Sequence, residues 1–217
     1  MATVFTTAYC PPIEYIAAIA DGMTLSRDEV IPSIIYIEDS ENYQKQSWRN
    51  RCAIYSANGV EYLNFPIVHE KGRKIPIREV QIDYSTDWVT LHKRAIASAY
   101  GTSAFFEYYK DDFFAILDSH PATLFEMNLS LLKFFLDKIG IAAEINFTGV
   151  YRSSYDIEDL REVIHPKRPD DILQRLHLDK EYYQVFGPQY GFQPNLSIMD
   201  LLFNLGPESI IFLKKFS

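Results

Sequence analysis

The first 37 residues alternate between strand-like and helix-like patterns, and this order restricts the fold more than any other feature of the chain. Val4 to Cys10 has the composition of a strand, and Pro11-Pro12 ends it. Proline suits the first turn of a helix, and Ile13 to Ala20 continue as that helix until Asp21-Gly22. Ile34 to Ile37 is an apolar, β-branched run typical of a buried strand. Strand, helix and strand in this order predict a βαβ unit with parallel strands.

A hairpin, further strands and several helices are predicted to follow. Asn58-Gly59 is a strong hairpin signal between Arg51–Ser56 and Val60–Val68. The patterns also predict strands at 80–84 and 144–150 and helices at 87–118 (interrupted near Gly101), 121–139 and 156–164. Near the C-terminus, Ser197-Ile198-Met199-Asp200 resembles a capping box. We expect a helix from there to Gly206 and another helix from Pro207. We therefore expect one α/β domain over residues 1–217, with a βαβ start, a mostly parallel or mixed sheet, a central β-hairpin and a helical C-terminal half.

Composition and charge limit the partners. With 47% hydrophobic and 23% charged residues, the chain can build a full core. The net charge of −8 argues against nucleic acid as a partner, because binding nucleic acid requires a basic face. Residues 45–94 hold nine cations and five acids, a local excess of four positive charges that favours a small anionic ligand. A solvated hairpin face with ordinary surface charge explains the same excess.

The cysteines and the apolar runs indicate a compartment. Cys10 and Cys52 are the two cysteines, and their positions show no metal-binding spacing. Without a signal peptide, we expect them to be free thiols in the reducing cytoplasm. The apolar runs are shorter than a membrane span. The sequence does not identify a cofactor, and it contains no GxGxxG, P-loop, GxSxG or HExxH motif.

A polar stretch of twelve residues, Glu41 to Cys52, separates two strand-like runs and is the main candidate for a site. A simple turn would be shorter and richer in Gly and Pro. Asp39 and Glu41 follow a predicted strand, where ligands bind in open α/β sheets, so they are candidate bases. The candidate substrate-binding residues here are Lys45, Trp48, Arg49, Asn50 and Arg51. An internal ion-pair network that fixes the loop is the competing interpretation.

Three further groups have both a functional and a structural explanation. His92 is a second proton-transfer candidate, although a single histidine on a helix is more often structural. The aromatic and amide-rich segments 182–186 and 192–195 could contact a sugar, which makes Asn195 a candidate binding residue, but core packing also explains them. We predict that a basic cluster at Arg161, His165, Lys167 and Arg168 is exposed and nonspecific, and that His69 is a surface residue.

Three segments occur in an order that resembles the WbqC-like protein family. They are Tyr9-Cys10-Pro11-Pro12-Ile13-Glu14-Tyr15, Trp48-Arg49-Asn50-Arg51 within the polar stretch, and Asn195 to Gly206. The resemblance runs from about residue 8 to residue 209. The chain departs from the family pattern at Tyr9-Cys10, where Gln before Pro is common, and at Glu38-Asp39, where paired aspartates are common.

The resemblance implies a function in the biosynthesis of bacterial surface polysaccharide (O-antigen). It implies an aminoacyl (glycine) or acyl transferase, with Asp39 or Glu41 as the base, His92 as a second proton-transfer group, and Lys45, Arg49 and Arg51 as an anion clamp. The alternative is a non-catalytic module that binds a nucleotide-sugar or saccharide. The implied partners are a sugar or nucleotide-sugar and, for the enzyme, a carrier-bound acyl or aminoacyl donor.

Overall fold

The fold begins with the predicted βαβ unit. The computed structural model describes residues 2–26, 29–68, 74–169, 171–178 and 180–214. The strands are β1 (Ala2–Thr6), β2 (Thr24–Leu25), β3 (Val30–Ile31), β4 (Ser33–Glu38), β5 (Arg51–Ser56), β6 (Gly59–Asn64), β7 (Ala143–Phe147) and β8 (Glu158–Asp159). The helices are α1 (Ile13–Gly22), α2 (Trp88–Tyr100), α3 (Phe106–Asp118), α4 (Leu124–Ile139), α5 (Asp171–Arg175), α6 (Gly187–Tyr190), α7 (Ile198–Leu205) and α8 (Ser209–Leu213), with 3-10 turns at Ile77–Glu79 and Gly206–Glu208.

The main sheet has four strands in the order β7-β4-β1-β8, and every pair in it is parallel. Helix α1 makes the crossover between β1 and β4, which confirms the parallel βαβ start. All four strands therefore end at the same edge of the sheet, where their side chains and loops converge. The β-branched residues Ile35 and Ile37 lie on the buried face of the central strand β4, whereas Ile34 on its other face is 40% exposed.

The hairpin and the helical half are confirmed. Strands β5 and β6 are antiparallel, with Ser56 opposite Gly59 and a two-residue turn at 57–58. Helices α2 and α3 match the predicted interrupted helix, and α4 begins at a capping box in which Thr123 and Glu126 exchange hydrogen bonds. Phe113 of α3 contacts Phe134 and Phe135 of α4 and Phe203 of α7, so aromatic packing joins these helices. Among the described residues, no helix is both long and apolar enough to cross a membrane.

Four local predictions were wrong. Strand β1 ends at Thr6 rather than Cys10, because Cys10 adopts a left-handed φ of 41° that no strand permits. Residues 80–84 make only isolated bridges, and 156–164 contain the short strand β8 followed by turns. Ser197 does cap α7, but the Asp200 carboxylate bonds to Tyr182 and Gln184 and so does not complete a capping box. His69 lies outside the described residues.

Candidate functional site

Two acids at the end of β4 are each paired with an arginine. Glu38, which is fully buried, accepts a bond from Nη1 of Arg161 at 3.0 Å, and Asp39 pairs with Nη2 of Arg78. The Oγ1 hydroxyl of Thr148, from the end of β7, lies 3.0 Å from a carboxylate oxygen of each acid. Because a hydroxyl has one proton, it can donate to only one of them at a time. The edge of the sheet is therefore a connected network of charges and hydrogen bonds.

Glu41 is also an acid that is paired with an arginine. Its Oε1 accepts from Nε of Arg49 at 2.8 Å and its Oε2 from Nη2 at 2.6 Å, with both side chains buried. Burial raises the pKa of Glu41, and the bonds to Arg49 offset only part of that rise. Arg49 is thus the partner of an acid in the interior, and its role in an anion clamp stays a prediction.

Asp39 is held in its charged form. Burial acts to raise its pKa, but hydrogen bonds from Thr148, Gly149 and Ser40, with the charge of Arg78, lower the pKa below its ordinary value. A carboxylate with a lowered pKa and occupied oxygens is a weak proton acceptor. The geometry therefore gives little support to Asp39 as a base, and that role stays a prediction.

His92 is buried in an aromatic environment between α2 and the end of β6. Its Nε2 lies 3.2 Å from the carbonyl oxygen of Asn64, which can only accept, so Nε2 carries the proton. Its Nδ1 then accepts from the hydroxyl of Tyr9 at 2.9 Å. Burial lowers the pKa of His92 to about 4, although the bond to Asn64 opposes the shift. Both ring nitrogens are engaged, so this arrangement leaves none for a substrate.

The polar stretch is fixed by its backbone at several points. The amide of Tyr9 donates to the carbonyl of Trp48 at 2.8 Å, and the amide of Phe65 donates to the carbonyl of Asn50 at 3.2 Å. Nδ2 of Asn128, on α4, donates to the carbonyl of Arg49 at 2.8 Å. The side chain of Asn50 also makes two hydrogen bonds within the protein: its Oδ1 accepts from the hydroxyl of Tyr43, and its Nδ2 donates to the carbonyl of Phe65.

The three segments that carry the family resemblance meet at the N-terminus of α1. The first amide of that helix, on Ile13, donates to the carbonyl of Leu196 at 2.9 Å, and the next, on Glu14, donates to Oδ1 of Asn195 at 3.0 Å. Asn195 has a left-handed φ of 54°, a conformation that asparagine tolerates better than most residues. Together with the bond between Tyr9 and Trp48, these contacts bring segments distant in sequence to one place.

A groove of about 390 Å³ opens beside this junction, and we call it the aromatic groove. Trp48 and Tyr62 are its aromatic residues, with ring centres 6.4 Å apart and planes tilted by 30°. The guanidinium of Arg51 lies 4.4 Å over the ring of Tyr62. The other residues that line the groove include Glu14, Ala53, Val60, His165, Pro166, Arg168, Pro169, Gln193, Pro194, Asn195 and Leu196.

Trp48 carries the most informative atom of the groove. The side chain is only 8% exposed, and its Nε1 donor is buried without a hydrogen-bond partner among the described residues. Buried donors in native proteins are nearly always paired with protein, water or ligand. An ordered water molecule or an acceptor oxygen of a bound molecule would pair this one.

The groove also contains titratable groups that the sequence analysis did not assign to a site. The Glu14 side chain is buried on the first turn of α1, where the helix dipole favours a negative charge. Burial lowers the pKa of His165, the nearby Glu162 opposes the shift, and the cations Arg49, Arg168 and Lys167 lower it further. The imidazole is therefore biased toward its neutral form. Glu14 lies in the segment Tyr9 to Tyr15 that resembles the family, but its place in the groove, like that of His165, follows only from the structure.

The wall of the groove is supported by a buried network behind it. Gln184 binds the backbone of Gln193 through two hydrogen bonds of 2.8 Å. Its Nε2 also lies 2.9 Å from Oδ2 of Asp200, which accepts from the hydroxyl of Tyr182 at 2.5 Å as well. Burial raises the pKa of Asp200 to about 6, and the bonds from Tyr182, Gln184 and Tyr100 only partly offset this effect.

A second concave surface lies just beyond the end of β4, along the first residues of the polar stretch. We call it the strand-end cleft. Its volume is about 550 Å³, and Ser40, Glu41, Asn42, Tyr43, Gln44, Lys74 and Tyr151 line it. The first half of the polar stretch therefore faces this cleft, and Trp48 faces the aromatic groove.

The structure separates the residues that the sequence grouped together. Trp48 and Asn195 line the groove, Glu41 lines the cleft, and Asp39 and His92 line neither. Lys45 is exposed, and Arg51 covers Tyr62. The prediction that Arg161 is exposed was wrong, since it is 8% exposed and paired with Glu38 and Asp159. Within the described residues, no group of three or more His, Cys, Asp or Glu is arranged to hold a metal ion.

Comparison with known proteins identifies the family. Residues 7–166 match the WbqC-like protein family, so the chain belongs to it. It is also similar to an uncharacterized protein of Mycobacterium tuberculosis, Rv1507c, with 30% identity over 207 residues that cover 83% of this chain and 87% of the relative. No solved structure is significantly similar to the chain.

Proposed function

We propose that this protein binds a sugar or nucleotide-sugar in the aromatic groove and acts in the cytoplasmic biosynthesis of a bacterial surface polysaccharide such as O-antigen. Trp48 carries the proposal, because its side chain lines the groove and its buried Nε1 has no hydrogen-bond partner among the described residues. Membership of the WbqC-like family supports the pathway. The reduced state of Cys10 and Cys52 fits a cytoplasmic location.

The other groups of the groove fit the same class of ligand. Sugars are recognised by aromatic faces together with a few amides and charged groups, and the groove offers Tyr62, Gln193 and Asn195. Arg168 and His165 add positive or polar groups for a phosphate. No polyanion is implied, because the net charge of the chain is −8.

The two tryptophans allow a direct test. Replacing Trp88 by Phe leaves Trp48 as the sole tryptophan, and its emission should change when uridine, thymidine or guanosine diphosphate sugars are added. The reciprocal variant Trp48→Phe keeps Trp88, which does not line the groove, and should show no change. Calorimetry on the unmodified protein provides the affinity in case Trp88→Phe is unstable.

An arginine pair supplies the matched control. Arg168→Ala should weaken binding of the phosphorylated probes, whereas Arg94→Ala, an exposed residue of α2 outside the groove, should not. The proposal is wrong if folded protein binds none of these nucleotide-sugars and none of their free sugars. It is also wrong if both arginine variants weaken binding equally.

Transfer of an aminoacyl (glycine) or acyl group to the bound sugar is a second candidate function. Glu14 and His165 line the groove, and either could accept a proton from an attacking amine or hydroxyl. The sugar nitrogen or oxygen would bond to the acyl carbon of a carrier-bound ester or thioester. The bond to the carrier would break, and the proton would pass through the base to the leaving group.

This second candidate is tested in cells that make the polysaccharide. Glu14→Gln and His165→Asn should abolish the acyl modification while the purified variants still bind the sugar. Asp39→Asn, Glu41→Gln and His92→Gln test the bases predicted from the sequence in the same assay. If the modification persists in all five variants, the protein is a binding module without a catalytic role.

A further inference from the structure

The strand-end cleft has the position of a ligand site and plays no part in the proposed function of the groove. It lies beyond the carboxyl end of β4, which is flanked by β1 and β7 in a parallel sheet. Ligands of open α/β sheets bind in crevices at this edge. Its volume of about 550 Å³ is within the range of small-molecule sites.

The floor of the cleft is fixed before any ligand arrives. Glu41 receives one hydrogen bond on each carboxylate oxygen from Arg49, and each oxygen keeps a further lone pair. A ligand hydroxyl could donate to either oxygen without breaking the ion pair. Behind the floor, Asp39 is paired with Arg78, and Glu38 shares Arg161 with Asp159.

The walls of the cleft offer neutral hydrogen-bonding groups and an aromatic ring. The Asn42 and Gln44 side chains are exposed and make no hydrogen bond to another described residue. Each amide can both donate and accept, which matches the hydroxyl groups of a sugar. The ring of Tyr151 is 55% exposed and lies 5.4 Å from the guanidinium of Arg161, so it can pack against the C–H face of a sugar ring.

Charge distinguishes the cleft from the groove. Since Glu41 and Arg49 neutralise one another, Lys74 is the single uncompensated charge among the described residues that line the cleft. Phosphate sites commonly contain an arginine that makes two parallel hydrogen bonds, and no arginine is among the described residues that line the cleft. The favoured occupant is an uncharged molecule rich in hydroxyl groups.

We propose that the strand-end cleft is a second ligand site, which binds an uncharged sugar unit while the aromatic groove is free or occupied. Different parts of the stretch 41–52 line the two concave surfaces: Glu41 to Gln44 line the cleft, and Trp48 lines the groove. On the groove side, Nζ of Lys167 donates a 2.7 Å hydrogen bond to Oε1 of Gln46 and so joins the loop 165–168 to the polar stretch. A protein with two such sites can bind two molecules at once.

Saturation-transfer NMR with N-acetylglucosamine tests the proposal on the full chain. Tyr151→Ala and Gln44→Ala should each weaken binding of this sugar by about five- to tenfold, or roughly 1–1.4 kcal/mol. The matched controls are Tyr108→Ala and Gln174→Ala, which remove exposed residues of the same types outside the cleft. They should leave binding unchanged.

A competition experiment separates the cleft from the groove. Uridine diphosphate alone, the probe for the groove, should not displace N-acetylglucosamine. The proposal is overturned if this sugar does not bind at millimolar concentration, if the cleft variants bind like their controls, or if uridine diphosphate displaces the sugar. Failure of uridine diphosphate to bind would count against the groove alone and would leave the sugar measurement decisive for the cleft.

Discussion

Glu41 and Arg49 form a doubly hydrogen-bonded ion pair in which the side chains are only 5% and 3% exposed. The two residues lie eight positions apart, near the two ends of the polar stretch. Their pairing closes that stretch into a loop, in which Trp48 lines the aromatic groove and Glu41 to Gln44 line the strand-end cleft. The ion pair therefore determines which residues of the loop can reach a ligand.

Removing one member of this pair should be costly. Arg49→Ala leaves the carboxylate of Glu41 buried without its partner, and we expect the free energy of unfolding to fall by about 3–5 kcal/mol. The double variant Glu41→Leu with Arg49→Met removes both charges and should recover most of the loss. Urea unfolding measures both. A loss below about 1 kcal/mol for Arg49→Ala would show that the pair behaves like an exposed one.

Asp200 should make stability depend on pH. Its pKa of about 6 exceeds the ordinary 3.8, so the folded protein binds this proton more tightly than the unfolded chain does. The resulting stabilisation is fully present below about pH 4 and is lost as pH rises through about 6, and amounts to up to about 3 kcal/mol.

The comparison variant is Asp200→Asn, which has no proton to lose. Between about pH 4 and pH 7, the unfolding free energy of the unmodified protein should fall by up to about 3 kcal/mol more than that of the variant. Urea unfolding at several pH values gives the two curves. Parallel curves would mean that Asp200 does not titrate in this range.

His92 should remain neutral at physiological pH. Because burial lowers its pKa to about 4, its ring protons should show no titration by NMR between about pH 6 and pH 8. The spectrum of His92→Gln assigns the signal. A midpoint near neutral pH would restore His92 as a proton-transfer candidate.

Asn195 should stabilise the fold through both its side chain and its backbone conformation. Asn195→Ala loses the bond to the amide of Glu14 and places alanine at a φ of 54°, and we expect a cost of about 2 kcal/mol. Asn195→Gly keeps the backbone conformation and should lose clearly less. Thermal unfolding compares the two. Equal losses would show that the backbone conformation contributes little.

Cys10 and Cys52 should react as free thiols only after unfolding. Both are buried and unpaired by a disulfide, and burial raises the pKa of Cys10, so its reactive thiolate form is suppressed. A thiol reagent should find two thiols in the denatured, unreduced protein and react slowly with the native protein. Finding no thiol after denaturation would contradict the assignment.

The sequence predicted those parts of the fold that depend on local pattern. The βαβ start, the hairpin around Asn58-Gly59 and helices α2 to α4 follow from hydrophobic period and turn residues, and each is present. Strand β8 could not be predicted, because its two residues form a strand only by pairing with β1, more than 150 positions earlier. The candidate site was harder to predict, because it too depends on contacts between residues that are far apart in the sequence.

At the site, residue type identified candidates but not their partners. Polar residues after β4 are as compatible with ion pairing as with catalysis, and only the structure shows that Arg49, Arg78 and Arg161 each reach a different acid. Trp48 and Asn195 do lie together on one groove. Glu14 and His165 join them through contacts between distant segments, so their place in the groove could not be predicted from the sequence around either residue.

The strand at the very start of the chain is central in the sheet, and this has a consequence for synthesis on the ribosome. Residues of β1 pair with 34–38 and with 158–159, and the first amide of α1 binds the carbonyl of Leu196. At about 5–20 residues per second, roughly ten to forty seconds separate the emergence of residue 13 from that of its partner. During that interval the apolar β1 and α1 lack their final cover. The nascent chain should therefore be a stronger client for chaperones than the finished protein.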